Sequence, residues 1–325
     1  MNPTNSVDLD FTRYLVRRRD ERSSLSVAGM PDYGFALDAA LRQRLAAIGP
    51  VRAVAQAITS GGVPLYTQLH TMESIAIGPN QLPDIHAIGL RCAERLGIGV
   101  PQLFLSPERT PNAFTIATDD VAPIVILTAG LVDALTPDEL TFVIGHECGH
   151  IHNLHGVYNT TVELMANPVA QTVVRGVART GASIDVVRLV LAALQGGLKL
   201  FMLQWSRCAE ITCDRAGLIC CGDCAAAERA LVKLAVGGSG AAARINIDAY
   251  LQQLETLKGM PLRLAELGHT HPLTPRRIEA VRLFHQCEVY HRWRPGQAEP
   301  ALHSREETDR RCEAIVAVVQ GKGAT

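Results

Sequence analysis

Apolar and polar positions alternate with two different periods along this chain, and the change of period marks its organisation. Helical spacing in an alanine-rich stretch predicts one amphipathic helix over residues 37–58. A second helix is expected over residues 85–96, capped by Asp84 and stopped by Gly97 with Gly99-Val100-Pro101 behind it. The pattern then shortens. Residues 102–106, 113–118 and 123–128 are runs rich in β-branched and aromatic side chains separated by turn residues, which predicts three strands in antiparallel order. Thr136-Pro137-Asp138-Glu139 reads as a helix start, with a Thr cap, Pro in the first turn and carboxylates beside it. That helix runs through Leu140, Val143 and Ile144 into His146 and His150. Helical periodicity returns over 162–177 and 184–205, a further helix carries Glu210 and Asp214, and Thr274-Pro275 caps a late helix through Arg277 and Phe284. Beyond Pro295 the chain turns polar, with a short terminal helix expected near 312–319. The expected class is α+β, mainly helical, with a small antiparallel sheet.

At 325 residues the chain can bury a full core. The expected division is a polar leader and helical region over 1–75, a main domain over 76–295 and a tail over 296–325. Lys and Arg number 31 against 32 Asp and Glu, so no basic footprint for nucleic acid is present. Residues 1–24 are polar and then highly charged, without the apolar run of a secretory signal. Nine cysteines at irregular spacing fit a reducing compartment better than a disulfide framework, so a cytoplasmic location is expected. Cys220, Cys221 and Cys224 read as helix-end and core residues rather than a second metal site. The most apolar stretch, 186–205, is interrupted by Arg188, Gly196-Gly197 and Lys199, which favours a soluble chain; a helix lying on a membrane surface is the alternative.

The chemistry concentrates in His146-Glu147-Cys148-Gly149-His150. Residues four apart share a helical face, so both imidazoles can meet one cation, with Glu147 placed to take a proton from water. A catalytic zinc needs three protein ligands and an open position. Glu210 is the candidate third ligand, and Asp214, four residues on, can accept the outer N–H of a ligand histidine. A metzincin arrangement fails, because Asn153 and Gly156 stand where that pattern needs Gly and His. His152 and His155 therefore read as helix-end residues. Cys148 and Cys213 neighbour the site, where oxidation could inhibit, although helix packing explains them more simply.

Asn112-Ala113-Phe114, the His146 helix, the Glu210/Asp214 helix and Thr270-His271-Pro272 with Arg277 follow one another in an order that resembles the zinc endopeptidase family of the protease HtpX and the CAAX prenyl protease. The resemblance implies a zincin-like peptidase domain with one catalytic zinc held by His146, His150 and Glu210. It also implies Glu147 as general base and Asp214 as support behind a ligand. His271 and Arg277 would stabilise the tetrahedral intermediate, and Asn112, Ala113 and Phe114 would bind the backbone of a peptide or unfolded protein substrate. Members of that family carry transmembrane helices and this chain shows no clear one, so it resembles the family's soluble peptidase core. A zinc-stabilised, chaperone-like peptide-binding module without turnover is the competing expectation.

Overall fold

The structure is a computed structural model. It describes residues 26–27, 30–48, 68–117, 122–158, 197–256, 269, 271–296 and 300–317, apart from 69, 157 and 239. In chain order the elements are β1 (Ser26–Val27), β2 (Met30–Pro31), α1 (Ala36–Ala47), β3 (Ile75–Ile77), α2 (Pro83–Leu96), β4 (Gln102–Ser106), β5 (Ala113–Ile116) and β6 (Ile124–Thr128). The short helix α3 (Ala129–Ala134) follows, then α4 (Pro137–His152), α5 (Gly197–Cys221) and α6 (Cys224–Ala235). A 3-10 turn (Gly240–Arg244) leads to α7 (Ile247–Thr256), α8 (Thr274–His285), α9 (Glu288–Trp293) and α10 (Arg305–Val316). The class is the expected one, helical with a small sheet.

The sheet corrects one expectation. It is mixed rather than antiparallel, with strand order β3-β4-β6-β5. β4 pairs with β6 in parallel, Leu103 opposite Val125, while β5 and β3 pair antiparallel to their neighbours. The chain therefore leaves β4, passes β6 and returns to β6 from the outer side as a hairpin. Every residue of β6 is buried, as expected for a strand covered on both faces, where a continuous apolar run replaces alternation and direction cannot be read from it. Val125 and Leu127 enter the main core with Leu103, whereas Ile124, Ile126 and Ile116 form a small cluster on the opposite face. β5 is left as an edge of this sheet.

Beneath the sheet, α4 lies against α5 more extensively than any other pair of described elements. The two backbones approach closely because side chains are missing at the contact. A Cβ on Gly149 would meet the Ala216 Cβ at 2.8 Å, and one on Gly217 would meet the Phe142 carbonyl oxygen at 2.6 Å. A second cluster packs around the first half of α5: Phe35, Leu41 and Leu45 from the α1 region, Trp205 and Ile211 from α5, and Cys312 from α10. Fully burying leucines such as Leu45 contributes about 2 kcal/mol each. α1 is thus sewn to α5 by apolar area.

Element boundaries differ in instructive ways. α1 stops at Ala47 with Ile48 extended, ahead of Gly49-Pro50, two residues of poor helix propensity; the rest of the expected helix, 49–58, lies outside the described residues. α2 begins at Pro83, and its cap is Leu82 in a left-handed conformation, so Asp84 is a first-turn carboxylate and not the cap. α5 is one continuous helix, joining Trp205 to Glu210 and Asp214 with no Gly or Pro to break it between them. α8 starts at Thr274 itself with Leu273 as cap, so Thr274 does not cap it. α10 starts at Arg305, earlier than expected, because the Ser304 side chain accepts from the Glu307 N–H. The helices expected over 162–177 and 184–196 lie outside the described residues. No helix among the described residues is long and apolar enough to cross a membrane.

Candidate active site

The site begins with a cap. The Thr136 hydroxyl accepts from the Glu139 N–H while the Glu139 carboxylate accepts from the Thr136 N–H, closing a capping box that fixes where α4 starts. Burial would raise the Glu139 pKa, but Lys233 at 2.7 Å and the cap hold it below the usual range. From that fixed start, His146 and His150 fall on the same face of α4, turned toward α5, and both are buried. Glu210 and Asp214 occupy the facing surface of α5, also buried.

The expected residues converge. Glu210 Oε2 lies 3.6 Å from His146 Nε2, and its Oε1 lies 3.5 Å from His150 Nε2. His146 Nδ1 donates to Asp214 Oδ1 at 3.0 Å. Arg277, from α8, grips Asp214 through Nη2 at 2.6 Å and Nε at 2.8 Å, and its Nη1 reaches Glu210 Oε2 at 3.2 Å. His271, just before α8 and more than half exposed, places Nδ1 2.8 Å from the same oxygen. Burial opposes charge on Glu210, yet His271, Arg277 and His146 beside it pull its pKa well below the usual carboxylate range. Asp214 is held down against burial in the same way by Arg277 and His146. Both carboxylates are therefore ionised at neutral pH.

Glu147, also buried, turns toward the sheet. Its Oε2 accepts from the Thr115 hydroxyl on β5 at 2.6 Å. This bond ties the edge strand to α4. Of the expected substrate residues, Asn112 is held to β6 by bonds to and from Thr128, Ala113 pairs opposite Leu127, and Phe114 pairs opposite Ile126 with its ring against His70. They line the sheet edge beside the Glu147 helix.

The arrangement can hold a divalent metal. Ligand atoms about 2.1 Å from a tetrahedral zinc lie about 3.4 Å apart, and Glu210 comes near that spacing with one oxygen to each imidazole, Oε2 to His146 and Oε1 to His150. Glu210 Oε2 is buried, and no described donor makes a well-aligned hydrogen bond to it. Cys213 is the competing third donor, since ligand atoms of His146, His150 and Cys213 all lie within 4.8 Å of one another. Burial pushes its thiol well above the ordinary pKa, so binding a cation there costs a proton that Glu210, already an anion, has lost. Burial pushes the Cys148 thiol up likewise, and Cys148 is enclosed in the main core.

One expectation needs correction. His155 is no simple helix-end residue. It is fully buried, its Nδ1 lies 3.2 Å from His150 Nδ1, and its Nε2 lies 3.0 Å from Asp38 Oδ2. His152 caps nothing metal-related; its Nδ1 meets the Tyr33 hydroxyl at 3.0 Å. Thr115 and Asp38 were missed as well. Thr115 sits one position past the Asn112-Ala113-Phe114 motif and carries no signal of its own, and Asp38 is 117 residues from His155.

Paired helix histidines, an intervening glutamate, a facing carboxylate and an adjacent edge strand define a metallopeptidase site. Comparison with known proteins agrees. The model of peptidase family M48 matches residues 79–284. The chain belongs to peptidase family M48. It is 33% identical over 218 residues to the plastoglobule-localized metallopeptidase 48 of Arabidopsis thaliana, covering 64% of this chain and 58% of that protein. It is 31% identical over 215 residues to a protease HtpX homolog of Thermococcus kodakarensis, covering 62% of this chain and 73% of that protein. A protease HtpX homolog of Moorella thermoacetica is 29% identical over 237 residues, with 67% of this chain and 77% of that protein covered. No solved structure matches.

Proposed function

We propose that the chain is a single-zinc endopeptidase that hydrolyses internal bonds of extended or unfolded polypeptides, with His146, His150 and Glu210 as the metal ligands. The observation that carries this reading is the pair of 3.5 and 3.6 Å approaches of one buried carboxylate to two Nε2 atoms, with Glu147 on the intervening turn. Zinc, when bound, supplies a Lewis acid and makes water acidic enough to be deprotonated near neutrality.

The residues divide the remaining work. Glu147 is the general base. Thr115 donates to one of its oxygens at 2.6 Å and so aims the other at the attacking water. The proton Glu147 takes passes to the leaving amine as the C–N bond breaks. His271, exposed at the mouth, donates to the developing oxyanion, and Arg277 adds positive charge beside it while holding Asp214 and Glu210; losing one such donor costs about 3 kcal/mol of barrier. The edge of β5 takes the substrate as an added strand through its backbone, which tolerates many side chains. The reading keeps a cytoplasmic setting, and liposome co-sedimentation of the full chain would move it to a membrane surface.

Glu147→Gln should keep stoichiometric zinc and abolish casein cleavage. Undiminished cleavage removes Glu147 as base, and peptide binding without cleavage by the zinc-loaded wild type favours a holding module. Glu210→Gln should lose zinc while Cys213→Ala keeps it; the reverse pattern makes the thiol the third ligand.

A further inference from the structure

We infer that Asp38 and His155 are positioning residues for His150, so that helix α1, which precedes the family-matched segment 79–284, is a working part of the metal centre. The inference rests on the zinc reading above and extends it to residues that reading does not use.

The geometry is a one-directional relay. His150 turns Nε2 toward Glu210, so its proton resides on Nδ1 and donates to His155 Nδ1 at 3.2 Å. The proton of His155 then sits on Nε2 and donates to Asp38 Oδ2 at 3.0 Å. Asp38 ends the chain as a pure acceptor, taking further bonds from the Trp205 indole at 2.9 Å on Oδ1 and the Thr212 hydroxyl at 2.7 Å on Oδ2. The Thr212 oxygen in turn accepts from the Phe35 N–H at 3.1 Å, at the N-terminus of α1. The Cys213 thiol, 3.6 Å from His155 Nδ1, is a weaker donor at the same acceptor.

The backbone is shaped to deliver His155. α4 ends at His152, and Leu154 adopts φ of 57°, a left-handed conformation costly for a side chain of this kind. The turn carries the chain back until the His155 N–H bonds the His150 carbonyl at 2.9 Å, which places the imidazole beneath its partner. With its proton on Nε2 toward Asp38, the His155 ring offers His150 an acceptor at Nδ1. Ring contacts with His150 and Trp205 fix its plane. Trp205 and Thr212 lie on α5, so the relay locks α1, α4 and α5 around one ligand.

Asp38→Asn tests the relay with least change of shape. Three donors point at two carboxylate oxygens, and an amide leaves one of them facing an NH2 group. The measurement is the zinc dissociation constant of the full chain by chelator competition, with circular dichroism and the thermal midpoint of the metal-free form alongside. Asp38→Asn and His155→Ala should weaken zinc about 10–100-fold, the range seen when support behind a metal-bound histidine is lost. His155→Gln, whose amide can accept from His150 and donate to Asp38, should recover part of the loss. Should Asp38→Asn fail to fold, Thr212→Val, which removes one donor at constant shape, carries the test with an expected few-fold weakening. Zinc affinity within twofold of wild type in the folded variants, with only the thermal midpoint lowered, makes Asp38 and His155 ordinary packing residues and overturns the inference. Absence of zinc binding by wild type, or wild-type affinity in Glu210→Gln, overturns the zinc reading instead.

Discussion

His146 and His150 stand one turn apart on the same helix and are held in opposite ways. Behind His146 is a short, charged support: Asp214 at 3.0 Å, itself clamped by Arg277. Behind His150 is a longer relay through the His155 imidazole to Asp38, whose charge lies one residue further from the ring atom that faces Glu210. The first support is drawn from α5 and α8, inside the family-matched segment; the second ends on α1, outside it. The contrast teaches that two equivalent-looking histidines in a sequence motif can depend on different parts of a chain. It also separates two physical costs. A buried ion pair resists loss of one partner, because the other charge is stranded, whereas a neutral relay mainly loses orientation.

The largest expected effect is therefore on the charged side. Asp214→Asn leaves the part-buried Arg277 guanidinium with Glu210 alone and should destabilise the metal-free protein by about 2–3 kcal/mol, read from urea unfolding, as well as weakening zinc. A smaller loss than that caused by Asp38→Asn would reverse the comparison. Next comes the proposed base. Thr115→Val removes one hydrogen bond to Glu147 and should lower kcat by about fivefold, roughly 1 kcal/mol, with zinc content unchanged. A change confined to KM would place Thr115 in substrate binding instead.

The smallest effect is a slope. The folded-state pKa values of Glu210, Asp214 and Asp38 are depressed, so their stabilisation is complete above the ordinary carboxylate range and fades as pH falls through their folded values. His155 is also depressed, so its contribution is present above about pH 6.5 and is lost on acidification below it. His150, raised by Glu210 against burial, runs the other way: its contribution is complete below about pH 6.5 and lost as pH rises. Between about pH 6.5 and 5 acidification costs the metal-free chain the His155 contribution and returns that of His150, so His155→Gln should raise the thermal midpoint at pH 5 relative to pH 6.5 compared with wild type. An unchanged slope would remove His155 from the balance.

What the sequence made legible follows the range of the interactions. The cap at Thr136 and the His146/His150 face are local, repeating at helical spacing, and appear where the pattern puts them. Glu210 and Asp214 carry the same four-residue spacing, so their shared face was readable, and order along the chain pointed to their meeting with His271 and Arg277. The parallel pairing of β4 with β6 was not readable, since a strand buried on both faces has no polar side to show its direction. Asp38 was hidden for a different reason. A single carboxylate in the first turn of a helix has an ordinary local role there, and only the fold brings it to His155.

The glycines between α4 and α5 have a consequence for how such a centre can change. Because Gly149 and Gly217 let two backbones touch, the gap between the imidazoles and the carboxylate is set by atoms that are not there. One added methyl at either position acts as a spacer, shifting the jaws apart while leaving every donor in place. The spacing of His146 and His150 from Glu210 can thus be tuned from the hinge side of the vice, by residues with no chemistry at all.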